Sequence, residues 1–371
     1  MTYPILKASS AWFQSATKAR PDFTIIRVVA SYEKTGNEIE EWAADVNGNG
    51  DIMCYVVETE TDIELIIAGN GSGKIALNED SSFVFSVEGV TTTSVPTFKN
   101  VTHFYGAGLL DTSNVSLFTR AFAYMMALEY IDVSNWITSS ATNMDFMFCA
   151  APSIGSMKIK KLDVSDWDVG NVTSFKQAFC GCAELELLDT RNWNMTKAES
   201  INSMCRYCYK LKAIHSENWV APNLTDLTSA FGECSSLKEL DIKGLSNQKA
   251  AESKRKGVIN GLSRLEKLTL GAKYTLSGAI GAPDNPSSDY IEGSDGKWHT
   301  LRGDSYDASE MPSGINITYY SSPLLVEKVL ETPVMLSGVE ALEIAEAIRE
   351  KTGSASDLEP REWAAAIRGG K

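Results

Sequence analysis

The sequence predicts a mixed α/β repeat, a solenoid of short parallel strands and short helices flanked by an N-terminal β module and a C-terminal helical pair. Three observations lead there. Trp136, Trp167, Trp193 and Trp219 are 31, 26 and 26 residues apart; a fixed period of this size marks units that bury their apolar faces against one another. Ahead of Trp167, apolar and polar residues alternate in Leu162-Asp163-Val164, the pattern of a short strand with one buried face. Behind it, Val172, Phe175, Phe179, Cys182 and Leu185 recur every three or four places. That spacing predicts one side of a helix or a chain of tight 3₁₀-like turns.

The register holds from copy to copy. The helical half begins at Val115, Ala141, Val172, Ala198 and Leu224, and its aromatic position runs Phe122, Phe148, Phe179, Cys205 and Phe231. Between strand and helix, Asp, Asn, Ser and Gly supply turn chemistry. One copy carries five extra residues around Pro152 to Lys161, expected to bulge from a turn. The first copy, Leu110 to Val115, lacks the Trp segment and reads as a shortened cap. A fifth strand, Leu240-Asp-Ile242, keeps the register with Leu245 in the Trp place. Atypical end units are expected where a stack has one neighbour.

These residues resemble the BspA-like leucine-rich repeats. The resemblance is carried by Asp111-Thr-Ser-Asn-Val115, Ile131-Asp-Val-Ser-Asn-Trp136, Asn143-Met-Asp-Phe-Met-Phe148 and Asn171-Val-Thr-Ser-Phe175. It covers roughly residues 100 to 270 and departs from the pattern at Cys205 and His215. It implies a leucine-rich-repeat-like solenoid, set at 93–275, and a protein of the bacterial surface.

The flanks differ in character. Residues 1–21 read as an arm holding Trp12 and Phe13. Over 22–92, the β-branched and aromatic runs Phe23 to Val29, Ile52 to Val57, Ile63 to Ile67 and Phe83 to Phe85 predict a mainly antiparallel β module. It is expected to cover the strand edge of the first repeat. After the last copy, Asn247 to Asn260 reads as a helix and Leu265 to Leu270 as a final strand. An irregular β extension follows at 276–321, then a helical module at 322–371. In the latter, Val339 to Ile348 is amphipathic, and Glu359 to Ile367 forms a second helix with Pro360 in its first turn. Ile344 to Gly353 and Leu358 to Ile367 resemble a short helical module at the ends of phage and prophage structural proteins. That resemblance implies a virion component.

Composition removes several classes of function. A net charge of −14 disfavours sequence-independent nucleic-acid binding, which depends on Lys and Arg neutralising phosphates. No stretch approaches the roughly 18 apolar residues of a membrane span. The N-terminal residues contain no signal-peptide core. A surface repeat without an export signal is expected to reach the outside by assembly into a phage particle and release on lysis.

Several local patterns are decoys. Gly69 to Lys74 fails the phosphate-loop spacing, with Ala68 at the first glycine and Ile75 after the lysine, and reads as a turn between strands. Asp45-Val-Asn47-Gly-Asn49-Gly50 opens like a calcium loop, but Val56 stands where a bidentate Glu is needed, so a hairpin turn is expected. Arg302-Gly-Asp304 matches a three-residue adhesion motif in a Gly/Ser-rich setting and is read as chance. The sequons at Asn100, Asn171 and Asn223 follow from the Asn-x-Thr turn of the repeat, and no glycan is expected. Cys180-x-Cys182 and Cys205-x-x-Cys208 imitate zinc spacing. Yet Cys182, Cys208 and Cys234 fall 26 apart at one inward position, where a thiol serves as a small buried hydrophobe. Three histidines, His103, His215 and His299, lie in unrelated contexts. No catalytic constellation, metal site or cofactor is expected.

Function is therefore read as non-enzymatic display: a tail or head appendage of a phage whose strand row contacts the host. The candidate partner-binding residues are the pairs Asp132/Ser134, Asp163/Ser165, Asp189/Arg191, His215/Glu217 and Asp241/Lys243. Their aspartates also suit acceptance of hydrogen bonds from turn amides, so the second member of each pair is the better binding candidate. Expected partners are other virion proteins, through the arm or the C-terminal helices, and a bacterial surface protein or glycan. A homo-oligomer in the particle is expected, with neither nucleic acid nor a membrane span. The alternatives are a secreted bacterial adhesin and a tail-associated carbohydrate-active enzyme.

Overall fold

The four repeat tryptophans form one column. Successive ring centroids of Trp136, Trp167, Trp193 and Trp219 are 6.4, 6.5 and 6.5 Å apart, and their planes lie within 10° of parallel. Each indole N–H donates to a backbone carbonyl of the preceding copy: Trp136 to Ala107 at 3.0 Å, Trp167 to Val133 at 3.1 Å, Trp193 to Val164 at 3.0 Å and Trp219 to Thr190 at 3.2 Å. A buried indole needs such a partner, and the period supplies one every time. Beside this column Phe122, Phe148 and Phe179 stack at 5.0 and 6.1 Å. Cys182, Cys208 and Cys234 continue the core, each thiol donating to a carbonyl of the previous copy at 3.0–3.3 Å. All seven cysteines are free and buried.

The computed structural model describes residues 3–8, 23–86, 98–150, 155–276, 282–331, 340 and 343–347. Its strands are β1 (Ile25–Val29), β2 (Glu38–Ala43), β3 (Met53–Glu58), β4 (Ile63–Ala68), β5 (Ile75–Ala76), β6 (His103–Tyr105), β7 (Leu110–Asp111) and β8 (Tyr130–Ile131). Then come β9 (Leu187–Leu188), β10 (Ala213–Ile214), β11 (Glu239–Ile242), β12 (Lys267–Leu270), β13 (Trp298–His299), β14 (Ser305–Tyr306) and β15 (Ile317–Tyr320). Helical structure among the described residues amounts to α1 (Pro323–Glu331), residue 340, residues 343–347 and three 3₁₀ turns of three residues.

The strands form four small sheets. One has the order β2-β3-β4-β1-β6-β8, one β11-β12-β15-β13-β14, and two are pairs, β10-β9 and β5-β7. In the first, β2, β3 and β4 are antiparallel, whereas β1 is parallel to both β4 and β6. Strand β1 thus hydrogen-bonds directly to the first copy, with Ile26 opposite Phe104. In the second, β11 and β12 run parallel and β15 closes antiparallel on β12, pairing Lys267 with Tyr320.

This architecture overturns the predicted mixed α/β class and its leucine-rich-repeat-like solenoid of strands and helices. The described chain is mostly β, built from small separate sheets with turns between them, and no copy contains an α-helix. The reason lies in one backbone position. Arg120, Phe146, Gln177, Ser203 and Ser229, each five residues into the expected helix, have φ of 52° to 58°. A left-handed residue ends a right-handed helix, so the segment becomes paired tight turns. Its amides then bond between copies rather than four residues back. Phe175, Gln177, Phe179 and Gly181 donate to the carbonyls of Ser200, Asn202, Met204 and Arg206 at 2.8–2.9 Å. Magnitudes favour this solution. A left-handed non-glycine residue costs about 1–2 kcal/mol, while each buried amide left without a partner costs about 1–3 kcal/mol, and four are satisfied per copy.

Other elements differ from expectation in the same way. Phe83 to Phe85 is not a strand but another such turn: Phe83 has φ 59°, and its amide donates to Thr119 O at 2.9 Å. Asn247 to Asn260 holds turns and the 3₁₀ segment Glu252–Lys254 instead of a helix. The first strand of the repeats is β6, and Leu110 follows it near the place taken elsewhere by Trp. In the longer copy Met157 and Ile159 are fully buried, and residues 151–154 of the expected bulge lie outside the described residues. Asp45 caps the β2–β3 hairpin turn by accepting from Asn49 and Gly50 amides, both at 3.0 Å. Trp12 and Phe13 of the arm, and the second C-terminal helix at 359–367, lie outside the described residues.

Candidate functional site

Each candidate aspartate is anchored by its own turn. Asp132 accepts from the Ser134 amide at 3.0 Å and hydroxyl at 2.7 Å, and Asp163 repeats this with Ser165 at 3.1 and 2.7 Å. In later copies the partner is cationic. Arg191 reaches Asp189 through its amide at 3.3 Å and its Nε at 2.9 Å; Lys243 reaches Asp241 through its amide at 2.9 Å and its Nζ at 3.0 Å. Burial pushes the Asp189 carboxyl up, but the Arg191 hydrogen bonds and charge outweigh it and hold the group below the usual carboxylate range. The aspartates therefore serve the turns, which leaves Arg191, His215, Glu217 and Lys243 as the variable members of the row.

A second set of charges links copies along the entrance to each strand. Lys210 meets Glu184 at 2.6 Å, Lys212 meets Glu186 at 2.8 Å, and Lys238 meets Glu266 at 2.8 Å. The hydrogen bond from Lys212, with its charge, holds the Glu186 carboxyl below its ordinary range. These pairs are exposed and screened by water, so they add little to stability. Their effect is to fix where the cations stand.

The two charge sets converge at β10, β11 and β12. There a groove of about 560 Å³ is lined by Lys212, His215, Glu217, Lys238, Asp241 and Lys243, with further lining from Glu239, Lys267 and Thr269. His215 Nδ1 stands 3.8 Å from Glu217 Oε1, beyond direct hydrogen-bond reach. A recess of about 320 Å³ shares Glu239 and Lys267 and is backed by Tyr320 and Glu340. Lys267 Nζ pairs there with the buried Glu340 at 2.9 Å, and the Tyr320 hydroxyl also donates to Glu340.

Four of the ten candidate residues, His215, Glu217, Asp241 and Lys243, thus share one groove, while Asp132, Ser134, Asp163, Ser165, Asp189 and Arg191 lie along the row outside its lining. Lys212, Lys238 and Lys267 escaped the sequence reading, which followed positions inside and after each strand. All three stand at a strand entrance, one residue before β10, one before β11 and first in β12. A lysine recurring there at 26- and 29-residue intervals was the available signal. Among the described residues, no group of three or more His, Cys, Asp or Glu side chains is arranged to hold a metal ion. No described helix is long and apolar enough to cross a membrane. The groove's chemistry is that of multipoint polar recognition by paired charges of both signs.

Two overlapping stretches, residues 77–165 and 117–244, match the family described as "Mycoplasma protein of unknown function, DUF285", a family of BspA-like surface repeats. The copies from 77 to 244 are thus similar to that surface repeat. No curated protein and no solved structure is significantly similar to this chain.

Proposed function

We propose that this is a non-enzymatic attachment protein, carried on a phage particle, whose groove at β10–β12 contacts a protein or glycan of the bacterial surface. The observation that carries the reading is convergence: His215, Glu217, Asp241 and Lys243, four variable or charged members of the row, open into one groove with Lys212 and Lys238. A groove whose charges are held in pairs suits recognition, where specificity comes from placed polar groups. The likeness of the repeats to a surface-repeat family supports display outside the host cell. The likeness of 344–367 to phage structural modules supports the particle as carrier.

Binding of fluorescent protein to host cells tests the groove. Lys243→Glu combined with His215→Ala is expected to reduce binding at least tenfold, since lost charge contacts of this kind cost about 2 kcal/mol or more. Unchanged binding would reject the groove as the contact. Antibody labelling of purified particles tests the carrier. A second reading, a bacterial cell-surface adhesin, is favoured by the Mycoplasma description of the matched family; label on intact bacteria and none on particles would select it. Turnover of cell-wall polysaccharide by the purified chain would overturn the non-enzymatic reading.

A further inference from the structure

Cys149 and Cys180 stand side by side in consecutive copies. The backbone fixes this: Phe148 N–H donates to Ala178 O at 2.7 Å and Ala150 N–H to Cys180 O at 2.8 Å. Phe148 also stacks on Phe179 at 6.1 Å, so residue 149 is in register with residue 180. Chains hydrogen-bonded in this way run about 4.8 Å apart, inside the roughly 4.4–6.8 Å between Cα atoms that a disulfide spans. The Cys149 thiol also reaches into the Cys180 copy, donating to Gln177 Oε1 at 3.7 Å. Arg206 follows 26 residues after Cys180, in the next copy, with its guanidinium 4.4 Å from the Tyr207 ring. The neighbouring Cys149 thiol, and after it the Arg206 charge, hold the Cys180 thiol below its ordinary value despite burial.

The other cysteines are placed differently. Cys182, Cys208 and Cys234 are fully buried and engaged with backbone carbonyls, and Cys54 and Cys205 are equally enclosed. Burial pushes the Cys54, Cys182 and Cys205 thiols well up. Cys149 and Cys180 keep 2% and 5% of their surfaces exposed, enough to set them apart from neighbours at 0%.

We propose that Cys149 and Cys180 form an oxidisable dithiol that closes into a disulfide between two repeat copies. The chemistry requires a small peroxide as oxidant. The Cys180 thiolate attacks one oxygen of hydrogen peroxide, breaking the O–O bond and giving a sulfenic acid and hydroxide. Cys149 then attacks the Cys180 sulfur, forming the S–S bond and expelling the second hydroxide. Two thiols and one peroxide become one disulfide and two waters, the hydroxides taking up the two thiol protons. Arg206 favours the anion needed in the first step, and register removes the search for a partner in the second.

The test is mild peroxide treatment of the folded full chain, followed by intact mass, a thiol count after denaturation, and peptide mapping. The expected result is a mass lower by two hydrogens, five titratable thiols in place of seven, and a single cross-link joining the Cys149 and Cys180 peptides. Cys149→Ser should instead accumulate a Cys180 sulfenic acid captured by dimedone. Seven thiols remaining after treatment would overturn the proposal. So would a cross-link formed first between Cys208 and Cys234, which stand 26 residues apart in consecutive copies.

Discussion

The indole N–H of Trp193 donates to the carbonyl of Val164, 29 residues earlier, at 3.0 Å. The ring that gives this bond lies between Trp167 and Trp219, each 6.5 Å away. One side chain therefore holds three copies, by packing on two faces and by a hydrogen bond at its edge. Trp193→Ala should lower stability by about 3–5 kcal/mol, the usual range for a buried Trp. Trp193→Phe keeps much of the packing and removes one of two hydrogen bonds to the Val164 carbonyl, which still accepts from the Trp167 amide at 3.2 Å, a loss of about 0.5–1.5 kcal/mol. Denaturant melts of both variants separate the two contributions, and a loss below about 1 kcal/mol for the alanine variant contradicts the stacked column.

Close approach of two backbones gives a sharper prediction. A Cβ at Gly244 would lie 1.5 Å from the Trp219 carbonyl oxygen. That neighbour is backbone within a copy, so relief requires moving the copy itself. Gly244→Ala should destabilise by more than about 2 kcal/mol, in the range of overpacked cores. A thermal melt within a degree or two of wild type would show that β11 and the preceding turn slide apart freely.

The C-terminal contact carries a pH dependence. Burial raises the Glu343 carboxyl from its ordinary 4.5 to about 8, with Glu340 and Glu346 adding to the rise and the Thr318 amide and Arg302 opposing it. Its second oxygen is buried without a hydrogen-bond partner. An acid with a raised folded pKa keeps its proton longer when folded. Its stabilising contribution is full below pH 4.5 and is lost as pH climbs to about 8. Calorimetry from pH 5 to 8.5 should find Glu343→Gln gaining on wild type as pH rises. A constant difference in Tm across that window would show that Glu343 is ionised throughout.

Exposed ion pairs should behave oppositely to the core. Lys238→Ala removes the 2.8 Å contact to Glu266, yet its cost is expected to stay within about 1 kcal/mol. The same variant changes the charge of the groove, so it separates binding from folding. A Tm drop comparable to that of Trp193→Ala would mean the strand-entrance lysines carry structure.

The sequence exposed some of this fold and hid the rest for identifiable reasons. The period of the tryptophans revealed the indole column, and the 26-residue spacing of Cys182, Cys208 and Cys234 revealed their buried role. The short helices of the expected fold class are turns instead, because apolar residues every three or four places fit both. The residue that decides between them is Arg, Phe, Gln or Ser at positions 120, 146, 177, 203 and 229. None is glycine or asparagine, the types that advertise a left-handed backbone. At the site, the Asp-x-Ser turns were legible because their hydrogen bonds are local. The groove was not, because Lys212, Lys238 and Lys267 meet only when separate strands align.

Four stacked, nearly parallel indoles at fixed spacing also have an optical consequence. Their ultraviolet transition dipoles sit close enough to mix, so the native chain should absorb less in the far ultraviolet than the same tryptophans apart. The lost absorbance would return whenever a ring leaves the line, which makes the molecule a built-in reporter of its own assembly, readable without a label.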